Sequence, residues 1–200
     1  MVDGSDKDHR YIKKICKKYR RKDRRIKYKK LEKNLGISEN TNTCIDLSTG
    51  DYIGLLDHDD LLHSSALFEV TRVICEQDAD VIYTDEDKVD AKSRMYFKPD
   101  FAIDNLRANN YICHFLVFRR LLLDVVGRFD AMCDGSQDHD LTLRLAEKAQ
   151  NIAHIPKILY HWRISADSTA TDPFAKSYAA EAGITAVTNH LRWLRFGGNC

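Results

Sequence analysis

Three carboxylates, Asp57, Asp59 and Asp60, follow directly on the apolar segment Tyr52-Ile53-Gly54-Leu55-Leu56. Like charges gathered at one point repel, and either a bound cation or free access to water must offset the cost. Asp57 and Asp59 alternate, so both can turn toward one ion, which adjacent carboxylates do less easily. A hard cation such as Mg²⁺ takes oxygen ligands and is typically held by one or two carboxylates together with substrate phosphates. A second acidic group, Asp85-Glu86-Asp87, follows the apolar run Val81-Ile82-Tyr83. An Asp-x-Asp alone is a common surface loop. Its place at the end of a buried-type strand is what points to chemistry, because open α/β sheets bind ligands at the carboxyl ends of their strands.

Those carboxylates need a scaffold behind them. Tyr52 to Leu56 and Asp80 to Tyr83 read as short, fully buried strands. A helix between them carries Leu67, Val70, Val73 and Ile74 on its inner face. Upstream, Ile26 and Tyr28 alternate as a short strand, and Ser38 is placed to cap a helix over residues 39–47. Downstream come a short helix near 103–108, a strand over 115–118 and a helix stopped by Gly127. A further helix starts near Asp138 with Leu141, Leu145 and Ala149 as its buried stripe. Two short strands flank Pro156, and a helix covers roughly 172–195. Strands alternating with helices predict an α/β domain on a largely parallel sheet. No repeat or linker divides the chain, so residues 1–200 read as one domain.

Composition narrows the class. Hydrophobic residues make up 44% of the chain, enough for a packed core rather than disorder. No apolar run approaches a membrane span. The cysteines are scattered with no CxxC pair, which indicates neither a zinc site nor a disulfide framework and favours a cytoplasmic protein with reduced thiols. The net charge of +1 hides an asymmetry: residues 10–33 carry fourteen Lys and Arg against Asp23 and Glu32, leaving the remainder strongly acidic. Ile12, Ile15, Cys16 and Tyr19 recur there at helical spacing, so this part reads as an amphipathic helix with a solvated basic face. Contact with an anionic lipid surface or nucleic acid is the alternative.

The segment "DYIGLLDHDDLL" resembles the DxD segment of family 2 glycosyltransferases, inverting enzymes of the GT-A fold. "VDGSDKD", "DVIYTDEDKVD", "YFKPDF", "NNYICHFLVFRR", "GSQDHDLTLRLAE" and "IPKILYHWR" follow in that family's order and spacing, over nearly the whole chain. The resemblance is strongest to bacterial members that assemble rhamnan, O-antigen and other cell-surface polysaccharides. It implies a UDP- or dTDP-sugar donor, a glycan or lipid-linked acceptor, and Mn²⁺ or Mg²⁺ as cofactor, with nucleic acid not expected as a partner. Asp57 and Asp59 would hold the metal and donor, Asp59 as the more direct ligand, and His161 would complete the metal or diphosphate site. Asp3 would contact the nucleotide's base or ribose. Asp138, preceded by Gln137 where the family often has Glu, would be the general base. Asp85, Glu86 and Gln137 would line the sugar or acceptor pocket.

Each assignment has a plainer counterpart. Asp138 at a helix start suits the helix dipole without catalysis, His161 beside Trp162 could simply be packed, and Asp85 to Asp87 could form a solvated loop. Asp60 reads as a turn residue, and His114 as a core hydrogen-bonding residue. Family members place a strand, a helix and a second strand ahead of Asp-Gly-Ser. The chain therefore reads as lacking that unit, which would leave unpaired strand edges, and a remnant without catalysis is the alternative function. The expected location is the cytoplasm, at the inner face of the membrane.

Overall fold

Strand β5 (Val81–Val89) is the centre of the larger sheet in a computed structural model that describes residues 1–89, 94–163 and 177–195. Around it stand β3 (Tyr52–Gly54), β4 (Leu61–Leu62), β6 (Arg94–Tyr96), β7 (Leu116–Arg119) and β8 (Ile152–Arg163). Their order is β3-β7-β5-β8-β4, with β6 pairing β5 on the side. A separate two-stranded sheet joins β1 (Val2–Asp3) to β2 (Lys29–Lys30). The helices are α1 (Arg10–Lys22), α2 (Ile37–Leu47), α3 (Ala66–Gln77), α4 (Ile103–Ala108), α5 (Leu123–Val126), α6 (Gln137–Lys148) and α7 (Ser177–Arg195).

The central strands are buried on both faces, and their residues divide by alternation. Val81 and Tyr83 of β5, with Leu116 and Phe118 of β7, join Ile45, Leu141 and Leu145 in one cluster. Ile82, Phe115 and Val117 point the other way, onto Ala66, Val70 and Val73 of α3. A period of two sorts each strand between the cores, as the geometry of an extended chain requires.

The α/β class holds, but the sheet is not largely parallel. Among the described residues of the larger sheet only β5 and β8 pair in parallel, while β3–β7, β5–β7, β4–β8 and β5–β6 are antiparallel. Strands β3, β5 and β8 do share one direction; β7 inserts between β3 and β5 against it. Residues 97–115 hold only the six-residue α4 and no full crossover helix, so the chain returns down the sheet. Among the described residues no ladder links the small sheet to the large one, leaving β1 and β3 with one strand partner each.

Local expectations differ from the structure at several points. Ser38 lies inside α2 with Gly36 as the cap, and its hydroxyl donates to Asp134 from a fully buried position. Leu67 is 67% exposed; Ala66, Glu69, Val70 and Val73 form the buried face of α3. The two strands around Pro156 are one, since the ladder steps from Thr84–Ile155 to Asp85–Ile158 and a bulge carries the proline, which has no N–H to donate. Of the helix expected over 172–195, α7 covers 177–195 and residues 172–176 lie outside the described residues. The five described cysteines are all free.

Beyond Thr84, β5 turns from apolar to acidic while staying inside the protein. Asp85 and Glu86 are 1% and 5% exposed, so they do not form a solvated loop. His154 Nε2 lies 2.8 Å from Asp85 Oδ1, which also accepts from the Lys98 N–H at 2.9 Å. Lys98 Nζ donates to Glu86 Oε2 at 3.0 Å and to the carbonyls of Ile112 and His114. The His114 N–H donates to the same Glu86 oxygen at 3.2 Å. Removing one partner of a buried ion pair strands the other charge. Lys98→Met should therefore lower unfolding free energy by about 3–5 kcal/mol in urea titrations, and Lys98→Met with Glu86→Gln should recover a substantial part of that loss.

Candidate active site

After β3 the chain makes a turn in which the Asp60 N–H donates to the Asp57 carbonyl at 3.2 Å, then pairs back onto β8 through Leu61 and His161. A turn of this kind brings residues i and i+3 together and sends i+2 outward. Asp57 and Asp60 therefore approach each other, while Asp59 faces solvent, its Oδ1 3.8 Å from Nδ1 of His58. The loop is anchored by Tyr160, whose hydroxyl accepts the Asp57 N–H at 3.3 Å and donates to Asp60 Oδ2 at 2.6 Å. The backbone N–H of Arg163 holds Asp60 Oδ1 at 2.8 Å. Asp60 is buried as a result, and carries more than a turn.

His114 arrives from the opposite side on the loop that Lys98 staples. Its ring stacks on Tyr160 with centroids 4.6 Å apart and meets Trp162 edge-on at 5.3 Å. One ligand atom each from Asp57, Asp60 and His114 lie within 4.8 Å of one another. Two carboxylates and an imidazole suit a divalent cation of the Mn²⁺ or Mg²⁺ type, and both Asp60 oxygens keep a free lone pair beside their present donors.

Asp138 opens the same mouth from the first turn of α6. Asn110 Nδ2 donates to its Oδ2 at 2.8 Å, and Cys113 Sγ lies 4.0 Å from that oxygen. Cys113 has φ 35°, a left-handed backbone that a non-glycine residue keeps only where its surroundings hold it. Burial, with Asp138 and Glu86 close by, pushes its thiol well above the usual range, so it stays neutral. Asp57 is exposed as a residue, yet the protein around its carboxyl strips it of water and raises it, with Asp60, Asp59 and Asp138 adding to the rise and His114 opposing it.

The other expected site residues have partners of their own. His161 Nδ1 sits 2.8 Å from Asp87 Oδ1, and the His161 ring is 6.0 Å from that of His63. Gln137 accepts the Gly135 N–H at 2.8 Å. Asp85 and Glu86 belong to the buried pairs beneath the site. Asp3 is in the small sheet, where burial would raise its carboxyl. Donors from Ser5, Tyr28 and Lys30 overcome that and hold it at about 2. Tyr160, Asn110 and the full role of Asp60 escaped the sequence reading. One signal was available: Tyr160 and Trp162 alternate on β8 and so share a face, with His114 against both.

With this geometry in view, comparison with known proteins is direct. The glycosyl transferase family 2 model matches residues 1–135, and the chain belongs to that family. It is 42% identical over 183 residues to the protein y4gI of Sinorhizobium fredii, covering 88% of this chain and 20% of that protein. It is 40% identical over 155 residues to the O-antigen biosynthesis protein RfbC of Myxococcus xanthus, covering 76% of this chain and 12% of RfbC. The chain thus spans one fifth or less of these relatives. Its fold is that of S. aureus TarS residues 1–349 in complex with UDP-GlcNAc, with a TM-score of 0.69 at 20% identity, covering 86% of this chain and 50% of that one. This is the GT-A fold.

Two substitutions test the site's construction. An acid whose pKa is raised by folding holds its proton more tightly in the native state, so ionising it costs stability as pH rises. Asp57→Asn should raise the melting temperature at pH 7, and the gain should vanish below the ordinary carboxyl value of 3.8, where both forms are neutral. The same variant should lose Mn²⁺ affinity in calorimetry. Tyr160→Phe removes the donor on Oδ2 of the buried Asp60, leaving only the Arg163 N–H on Oδ1, and should destabilise by about 1–3 kcal/mol while weakening Mn²⁺ binding.

Proposed function

We propose that this chain is the donor-binding and catalytic domain of an inverting, metal-dependent glycosyltransferase. It would move a sugar from a UDP- or dTDP-sugar to a glycan or lipid-linked acceptor in cell-surface polysaccharide assembly, in the cytoplasm at the inner face of the membrane. The observation that carries the reading is the convergence of Asp57, Asp60, His114 and Asp138 at one mouth in a family 2 chain. The RfbC likeness supports the polysaccharide setting.

Asp138 acts as general base: it takes the acceptor hydroxyl proton as that oxygen bonds to the anomeric carbon and the bond to the nucleoside diphosphate breaks. Asn110 holds Oδ2 of Asp138, which leaves Oδ1 for the acceptor. Asp57 would hold the cation and donor, joined by Asp59 and, from the cluster geometry, by Asp60 and His114. A bound divalent ion neutralises the charge that develops on the departing diphosphate. His161 is oriented by Asp87 to complete the diphosphate site, and Asp3 with Lys30 serves the nucleotide's base or ribose. Gln137 shapes the loop before Asp138. Asp85 and Glu86 act from beneath by fixing the wall that carries His114.

Calorimetry of UDP and dTDP with and without Mn²⁺ tests the binding half. Binding should tighten at least tenfold with Mn²⁺ and lose that gain in Asp57→Asn or Asp59→Asn; metal-independent binding, unchanged in both variants, overturns the site. Donor turnover tests the chemical half. Asp138→Asn should cut it by about 10²–10⁴-fold while leaving donor affinity nearly unchanged, whereas donor binding with no turnover in the wild type means a binding remnant.

A further inference from the structure

Helix α1 is joined to the described fold more loosely than its sequence pattern leads one to expect, since none of its thirteen residues is buried. Arg10, Lys13, Lys14, Lys17, Lys18, Arg20, Arg21 and Lys22 lie on it, with no acidic residue. At about 100° per residue the side chains of Tyr11, Ile15, Tyr19, Ile12 and Cys16 occupy one continuous sector. Ile12 and Cys16, at its inner border, are half-buried. Tyr11, Ile15 and Tyr19 follow one another along the axis at 57%, 50% and 49% exposure. A soluble helix turns such a stripe toward a core; this one presents it to solvent. Lys22 lies 5.5 Å over the Tyr19 ring, at the edge of the stripe. On the other side Arg10, Lys13, Lys14 and Lys17 line a groove of about 570 Å³ together with Lys7 and Lys30, against Asp6 and Glu32.

We propose that α1 is an interfacial helix that seats this domain on an anionic phospholipid bilayer. Tyr11, Ile15 and Tyr19 enter at headgroup depth, and the flanking Lys and Arg lay their stems along the interface with their charges on lipid phosphates. Tyrosines at both ends of the stripe suit a boundary where the ring is apolar and the hydroxyl wet. The charge distribution supports the same orientation. Residues 10–33 carry +12 and the remainder of the chain −11, so an anionic surface draws α1 in and repels the rest. Nucleic acid would use the cations equally well but gives an exposed isoleucine no partner, so lipid is favoured. The inference does not rest on the proposed function.

The test is sedimentation of the whole chain with phosphatidylcholine vesicles, with and without phosphatidylglycerol, at low and high salt. Binding should require phosphatidylglycerol and weaken with salt. Lys14→Gln/Lys18→Gln/Arg21→Gln/Lys22→Gln, which removes cations flanking the stripe, should weaken it roughly 100-fold or more. Tyr11→Ser/Ile15→Ser/Tyr19→Ser should weaken it at least about tenfold at unchanged charge. All seven side chains are exposed, so an unchanged cooperative melting transition should confirm the fold of both variants. Ile15→Trp should add an emission component that shifts blue on anionic vesicles. Three results would overturn the proposal: no binding to phosphatidylglycerol vesicles, binding undiminished in the triple serine variant, or a lipid-free dimer that this variant abolishes.

Discussion

A buried ammonium between a carboxylate and two carbonyls is the interaction on which the rest of this molecule's working end depends. Strand β5 cannot leave the protein where its sequence turns acidic, because β8 continues beside it in parallel as far as Val89 and Arg163. Glu86 is therefore an interior charge, and an interior charge must be matched. Lys98 matches it and uses its remaining donors on the carbonyls of Ile112 and His114. That single side chain sets the path of the loop that brings His114 over Tyr160 and Asn110 and Cys113 against Asp138. The wall of the site is thus a consequence of charge compensation beneath it.

Above that wall the electrostatics run the other way. Asp57, Asp60 and Asp138 are held near one another beside the single imidazole of His114, and desolvation with this crowding of carboxylates raises the Asp57 carboxyl. Asp3, in the small sheet, meets burial with hydroxyl and ammonium donors and is held at about 2. The two aspartates differ in whether the fold satisfies their charge or leaves it to something else. Tyr160 suits such a site: it is neutral, it bridges Asp57 and Asp60 from within the sheet, and burial with its bond to Asp60 pushes its phenol far up, so it remains a donor. Negative charge gathered in a mouth built on rigid strands is the preorganised condition in which a divalent cation binds well.

The amino-terminal portion is organised separately. Its two-stranded sheet shares no ladder with the main one among the described residues, and α1 touches the fold along only one border of its apolar sector. Nearly half of the chain's Lys and Arg lie there against few acids, while a group of carboxylates gathers at the site. A chain with a net charge of only +1 is therefore strongly polar from one part to the other, and that separation matters for how it meets a charged surface.

Local pattern determined a good deal by itself. Continuous apolar runs placed β3, β5 and β7, helical spacing placed α3 and α6, Gly127 ended α5, and carboxylates just after apolar strands marked the site. These features depend on neighbours in the chain, which composition and periodicity report. Tertiary structure decided the direction of β7, the continuity of β8 through Pro156, and which members of the acidic clusters face one another. Asp57 meets Asp60 because a turn closes over Tyr160, a residue 100 positions away, and Asp85 and Glu86 are consumed by His154 and Lys98. No spacing rule carries that information. A buried polar group takes whichever partner the packing delivers, and the energy of pairing it is settled in three dimensions.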